Sequence, residues 1–199
     1  MSKTLLHVGC GPNTRKQTIR HFADGDWREI RYDIDPAVQP DIIGGVTDLS
    51  AIADGSIDAI FSSHNIEHVF IHEVNIMLRE FLRVLAPQGY VVVTCPDMKG
   101  ISRLVAEDRL HVPAYQSPSG PITPHDMIYG HGRFIAEGNH YMAHKCGFTL
   151  GSLQRCLVDA GFGTVAGLEV QKAYALWAVA RKERVPAEEH IAFARQVLA

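Results

Sequence analysis

The apolar run Thr4–Val8 empties into Gly9-x-Gly11, and a second strand-like run, Glu29–Asp33, ends in a carboxylate. That order constrains the fold more than any other feature of the chain. Two glycines after a first strand let main chain approach a ligand at a helix N-terminus. An acid at the tip of the neighbouring strand can then take a ribose diol. This is the apparatus of a nucleoside-bearing cofactor. Gly-x-Gly alone also occurs in ordinary turns, so residues further along the chain decide its meaning.

Strand-like runs continue at Asp41–Gly44, Ile57–Ser62, Tyr90–Cys95, Thr164–Val170 and Tyr174–Ala180. Between the fourth and fifth, Val74, Met77, Leu78, Phe81, Leu82 and Leu85 recur at helical spacing as one apolar stripe. Ala86-Pro-Gln-Gly89 ends that helix. Thr149 is a candidate N-cap for a helix over Leu150–Ala160, with Gly161 as its stop, and Pro186 suits the first turn of a last helix through Leu198. Strands alternating with helices imply an α/β fold, a doubly wound and mainly parallel sheet of seven strands.

Two segments depart from that scheme. Only seven residues, Ile34 to Pro40, separate Asp33 from Asp41, and two of them are proline. A parallel crossover normally takes a dozen or more, so the helix after the second strand is expected to be missing or reduced to a turn. At the other extreme, Asp97–Gly147 extends from the fifth strand as a long polar insertion. It holds His111, Tyr115, His125, Asp126, Tyr129, His131, Arg133, His140, Tyr141 and His144. Such a segment in a compact domain is a lid or binding loop, and its aromatic and histidine content argues against disorder. The chain is read as one domain over 1–199, with the lid at about 97–147.

The ordered set of Gly9-Cys-Gly11, Asp33, Gly55-Ser-Ile-Asp-Ala-Ile-Phe-Ser-Ser63, His64-Asn-Ile-Glu-His68 and Leu85-Ala-Pro-Gln-Gly-Tyr-Val-Val-Val93 resembles the class I S-adenosylmethionine-dependent methyltransferases. Within them it is most similar to the small bacterial type-11-like group. The resemblance runs from about Leu5 to Cys95, and more loosely through Gly147-Phe-Thr149 to Ala180. It implies a Rossmann-like methyltransferase fold, S-adenosyl-L-methionine as cofactor and a small-molecule acceptor. Many such enzymes cover their substrate with an N-terminal helical cap. With the first strand at Thr4, the cover is expected from the lid instead.

The resemblance also assigns residues. Gly9, Cys10 and Gly11 would pass under the methionine portion of the cofactor, and Asp33 would take the ribose hydroxyls. Asp48 and Leu49 would offer a carboxylate and a main-chain N–H to adenine, or Asp48 would simply cap a turn. Ser63 and His64 close the fourth strand at the ligand edge, which puts His64 near the transferred methyl. The chain departs from the family pattern at His7, Asn13 and Gly45, where an acid, a third glycine and an aspartate are usual. Methyl transfer from a sulfonium needs alignment in a dry site, and a base only when the acceptor carries a proton. Histidine suits that role, so His64 comes first, with His144 and Tyr141 of the lid as further catalytic candidates. His68 most simply holds a main-chain carbonyl.

Other constellations carry less. His64, His68 and His72 recur at i, i+4 and i+8, and His140-x-x-x-His144-x-Cys146 has ligand-like spacing, but eleven histidines make such coincidences common. No metal is assigned, although a metal-dependent enzyme stays among the alternatives. Tyr141-x-x-x-Lys145 would suit an NAD-dependent oxidoreductase, yet no partner serine motif accompanies it. A non-catalytic cofactor-binding module acting through a partner is the third alternative. A P-loop is excluded, since no Gly-Lys-Ser/Thr comes after Gly11. The formal charge of −3 with no basic run excludes a nucleic-acid footprint. Four unpaired cysteines and no long apolar stretch point to a cytoplasmic protein without a membrane partner. A homodimer through the last helix is left open.

Overall fold

The computed structural model describes residues 2–199. Among these residues nine strands form: β1 (Lys3–Val8), β2 (Trp27–Asp33), β3 (Ile42–Ile43), β4 (Ile57–Ser63), β5 (Leu85–Pro96), β6 (Tyr115–Ser117), β7 (Gly120–Ile122), β8 (Thr164–Val170) and β9 (Ala175–Arg181). Seven of them make one sheet in the order β3-β2-β1-β4-β5-β9-β8, while β6 and β7 form a separate hairpin. The pairings from β3 through β5 are parallel; β9 runs antiparallel to both β5 and β8. This is the mainly parallel, doubly wound α/β sheet expected from the sequence.

Alternation along β1 sorts its side chains to the two faces. Leu6 and Val8 join the larger core with Met77, Leu78 and Phe81 of α2 (Val74–Val84, after the short α1, Arg20–Asp24). Leu5 joins the opposite cluster with Phe22, Trp27 and Phe61. The strands that are buried on both faces read as continuous apolar runs, as parallel strands under helices must. Tyr90 through Cys95 are all buried, and each such aliphatic contributes about 1.5–3 kcal/mol. Ala194 and Val197 of the last helix pack on that second face, which gives its apolar stripe a place in the core.

The crossover after β2 is reduced as its length requires. Pro36–Val38 makes one 3-10 turn, Asp35 caps it by accepting from Ala37 N–H, and Gln39 turns left-handed at φ +50°. Several boundaries differ from the expected ones, and three of them have a clear local cause. β5 begins at Leu85, not Tyr90, because Leu85 pairs with Ile57 ahead of an irregularity in the register. Tyr174 lies outside β9, since its φ of +49° belongs to the turn before that strand. Pro186 precedes the last helix as its cap instead of entering the first turn.

The 97–147 insertion carries secondary structure of its own. It contains α3 (Met98–Ala106), the β6–β7 hairpin, α4 (Pro124–Tyr129) and α5 (Gly132–Ala136). Asp97 caps α3 through Lys99 and Gly100 N–H groups, and Thr123 with Asp126 forms a capping box on α4. Ile101, Leu104, Ile122 and Met127 form a small apolar cluster of their own. The remaining helices, α6 (Leu150–Ala160) and α7 (Ala187–Leu198), return to the sheet, and α6 has the expected Thr149 cap and Gly161 stop. No helix among the described residues is long and apolar enough to cross a membrane.

Candidate functional site

The C-terminal ends of β1 and β2 meet through one carboxylate. Asp33 Oδ2 accepts the Gly11 N–H at 2.7 Å and Oδ1 accepts the Asp35 N–H at 2.9 Å. Gly9 and Gly11 both have positive φ, +64° and +53°. At Gly9 a side chain is excluded twice, because a Cβ would also come 2.7 Å from Cγ of Asn65. Arg31 fastens the same loops from outside, donating to the carbonyls of Gly11 (2.7 Å), Asn13 (3.0 Å) and Gln39 (2.8 Å). Nothing in its sequence context singled Arg31 out, since its partners are main-chain atoms of remote loops. Cys10 is buried, and burial pushes its thiol up to about 11, so it lines the loop as an apolar side chain. His7, where an acid is usual, turns into the sheet face to meet Glu29 at 2.9 Å.

Between β3 and β4 the groups expected at adenine have partners within the chain. The Leu49 N–H donates to Glu80 Oε2 at 2.8 Å, which commits the group expected to face adenine. Asp48 uses Oδ1 to accept the Ser50 N–H at 2.9 Å, the turn-capping alternative.

The end of β4 carries the densest polar chemistry. Ser63 exchanges a 2.8 Å hydrogen bond with the Thr94 hydroxyl on the neighbouring end of β5. His64 comes next at φ +50°, a conformation rare outside glycine, and its N–H is held by the Thr94 carbonyl at 2.9 Å. Its Nδ1 lies 3.2 Å from Oε1 of Glu67, which is fully buried while the His64 side chain is half exposed. Partial desolvation lowers the His64 pKa, but the Glu67 hydrogen bond and charge outweigh it and the net shift is upward. Burial works against the Glu67 charge, while the bond to His64 and the nearby His68 and His144 hold its carboxyl below the usual range.

The insertion returns to this point. Lys145 N–H donates to the Glu67 carbonyl at 2.8 Å, and the His68 Nδ1–H meets the Ala143 carbonyl at 3.2 Å. That is the simple role expected of His68. His144 packs edge-on against His68 with ring centroids 4.8 Å apart, and its Nδ1–H donates to the Met127 carbonyl at 2.9 Å. Tyr141 sits in the turn His140–Met142 with its side chain exposed and makes no hydrogen bond or ring contact among the described residues. Of the two lid candidates, only His144 reaches the group around His64. Glu67 is the member whose position next to His64 sequence reading left unassigned; the His-x-x-Glu spacing at a strand end was its signal.

A sequence-family model described as a methyltransferase domain matches residues 6–93. No curated protein matches the sequence. Among solved structures, the chain is similar to the Burkholderia thailandensis 1,6-didemethyltoxoflavin-N1-methyltransferase with bound 1,6-didemethyltoxoflavin and S-adenosylhomocysteine. That match has 16% identity and a TM-score of 0.57 over 92% of this chain and 72% of that one. It is also similar to S-adenosylmethionine-dependent methyltransferases of Methanosarcina mazei (16% identity, TM-score 0.59, 92% and 94% covered) and Archaeoglobus fulgidus (13%, 0.60, 91% and 86%). The matched segment spans the Gly9–Gly11 loop, Asp33 and the His64–Glu67 pair, and runs from β1 into β5. Residues 6–93 thus match a methyltransferase domain, and the chain shares the fold of solved S-adenosylmethionine-dependent methyltransferases.

Proposed function

We propose that this protein moves the methyl group of S-adenosylmethionine to an oxygen or nitrogen of a small-molecule acceptor, held between the β4–β5 edge and the 97–147 insertion of a single domain. The observation that carries the reading is the His64–Glu67 pair, set at a strand end beside the Gly9–Gly11 loop and met there by His144. An ionised Glu67 only accepts hydrogen bonds, so it fixes the His64 proton on Nδ1 and leaves Nε2 with a free lone pair. That nitrogen takes the proton of an acceptor hydroxyl as the new bond to carbon forms and the carbon–sulfur bond breaks, or takes the proton of an ammonium beforehand so that the freed amine lone pair can attack. Glu67 stabilises the imidazolium that results. Gly9, Cys10 and Gly11 seat the methionine portion, and the two remaining lone-pair directions of Asp33 take the ribose hydroxyls.

Support for a small acceptor comes from the folded insertion and from two neighbours. The Burkholderia thailandensis enzyme holds 1,6-didemethyltoxoflavin, and a phosphoethanolamine N-methyltransferase of Haemonchus contortus has a TM-score of 0.57 at 11% identity over 92% of this chain and 49% of that one. Thermal shift with S-adenosylmethionine, S-adenosylhomocysteine and NAD tests the cofactor. Stabilisation by the first two but not by NAD is expected, and the reverse pattern ends the reading. Transfer of labelled methyl to a panel of hydroxyl and amine acceptors, abolished or strongly reduced in His64→Ala, then tests the base.

A further inference from the structure

We infer that Glu67, His68 and His144 form a binding site for one divalent transition-metal ion, with zinc best suited to the donor set. Their ligating atoms lie within 4.8 Å of one another. Glu67 Oε1 faces His64, but Oε2 is buried and has no hydrogen-bond partner among the described residues. A buried carboxylate oxygen without a donor is costly, so the group calls for an occupant. No imidazole N–H reaches Oε2 within hydrogen-bond distance. His68 Nδ1–H is given to the Ala143 carbonyl and His144 Nδ1–H to the Met127 carbonyl, so in the neutral rings each Nε2 is a lone pair. Three lone-pair donors therefore converge with no proton between them. A cation satisfies all three at once.

The carbonyl partners are the arrangement that orients a metal-binding histidine, since they fix its tautomer and ring plane. An ion about 2.0–2.2 Å from each donor draws the ligands in by roughly 1 Å, which the partly exposed His68 and His144 rings can accommodate. Two histidines and a glutamate leave a coordination position open, as catalytic zinc sites do, for water or an oxygen of a ligand. The ligand set cuts across both histidine spacings visible in the sequence. It takes His68 from one, His144 from the other, and ties the insertion to the sheet edge. It departs from the sequence expectation of no metal, and it does not depend on the methyl-transfer reading, because its tests count ions and record spectra.

The untagged chain of residues 1–199, dialysed against chelator and titrated with Co²⁺, should bind one equivalent with the visible absorption of a four- or five-coordinate ion, and Zn²⁺ should displace it. Glu67→Gln and His144→Ala should each weaken Co²⁺ binding by about 100-fold or more, beyond the 10–100-fold that losing only an orienting partner causes. His72→Ala and His111→Ala, at histidines outside the cluster, should bind as the native chain does. Circular dichroism and cooperative thermal unfolding establish that each variant is folded. Where Glu67→Gln does not fold, His68→Gln replaces it. Binding below one equivalent in the native chain overturns the site, as does binding unchanged in folded Glu67→Gln and His144→Ala, or equally lost in His72→Ala or His111→Ala.

Discussion

The Gly11 N–H and the Asp33 carboxylate, 2.7 Å apart, join the loop after β1 to the loop after β2. The glycine loop is thus positioned by the same side chain that, under the proposed function, takes the ribose. Asp33→Asn retains the volume but sets an NH2 group against donors, at the ribose or at Gly11 and Asp35. Affinity for S-adenosylhomocysteine should fall by about 1.5–3 kcal/mol, the usual worth of a hydrogen bond to a charged group. Isothermal calorimetry measures it, and unchanged affinity would remove Asp33 from the cofactor site.

Gly130 closes α4 at φ +97° and bridges Ala143, with His144 N–H on the Tyr129 carbonyl alongside. A Cβ there would collide with the Met142 carbonyl. Gly130→Ala should loosen the insertion while the sheet stays folded. Limited proteolysis is expected to cut the variant within 97–147 many times faster than the native chain, at similar overall circular dichroism. Equal cutting rates would show that the insertion does not rest on this turn.

His190 on α7 is buried and donates Nε2–H to the Val179 carbonyl at 3.0 Å. Burial lowers its pKa, the carbonyl bond opposes that, and Arg181 adds to the lowering. The unfolded chain takes up a proton below about 6.5 that the folded chain resists, so this contribution to stability is complete above that pH and declines as the pH falls through it. His190→Gln keeps the donor and cannot titrate. Chemical denaturation at several pH values should show the native chain's advantage over the variant shrinking on acidification. A gap that is constant across pH 5–8 would refute the linkage.

Cys10 and Cys95 are both buried, and burial raises both thiols, Cys10 to about 11. Alkylation with iodoacetamide at about pH 8 should leave both unmodified in the native protein and label both after denaturation, since the thiolate is the reactive form. Peptide mass spectrometry reports each site. Rapid labelling of native Cys10 would mean the glycine loop opens in solution.

The sheet was legible because its strands are local, two-face-buried apolar runs. The periodicity of Val74 to Phe81 and the Thr149 cap gave their helices almost to the residue. The short Ile34–Pro40 link was legible from its length and its two prolines. The insertion was not. Its elements are brief and capped by side chains such as Asp97 and Asp126, and its apolar positions, Ile101, Leu104, Ile122 and Met127, find one another only in three dimensions. The same limit applied at the site. Gly9, Gly11 and Asp33 announce themselves by position along strands, whereas the Leu49–Glu80 bond and the meeting of Glu67 with His144 join residues far apart in sequence.

The separate apolar cluster inside the insertion makes it a replaceable part. Ile101, Leu104, Ile122 and Met127 pack mainly among themselves and not with the two clusters that flank the sheet. Substitutions there can reshape the insertion without drawing on the stability of β1, β2 and β4, which hold the glycine loop and Asp33. Under the proposed function, drift in acceptor preference and retention of the methyl donor fall on different residues, and a library confined to 101–128 tests that separation.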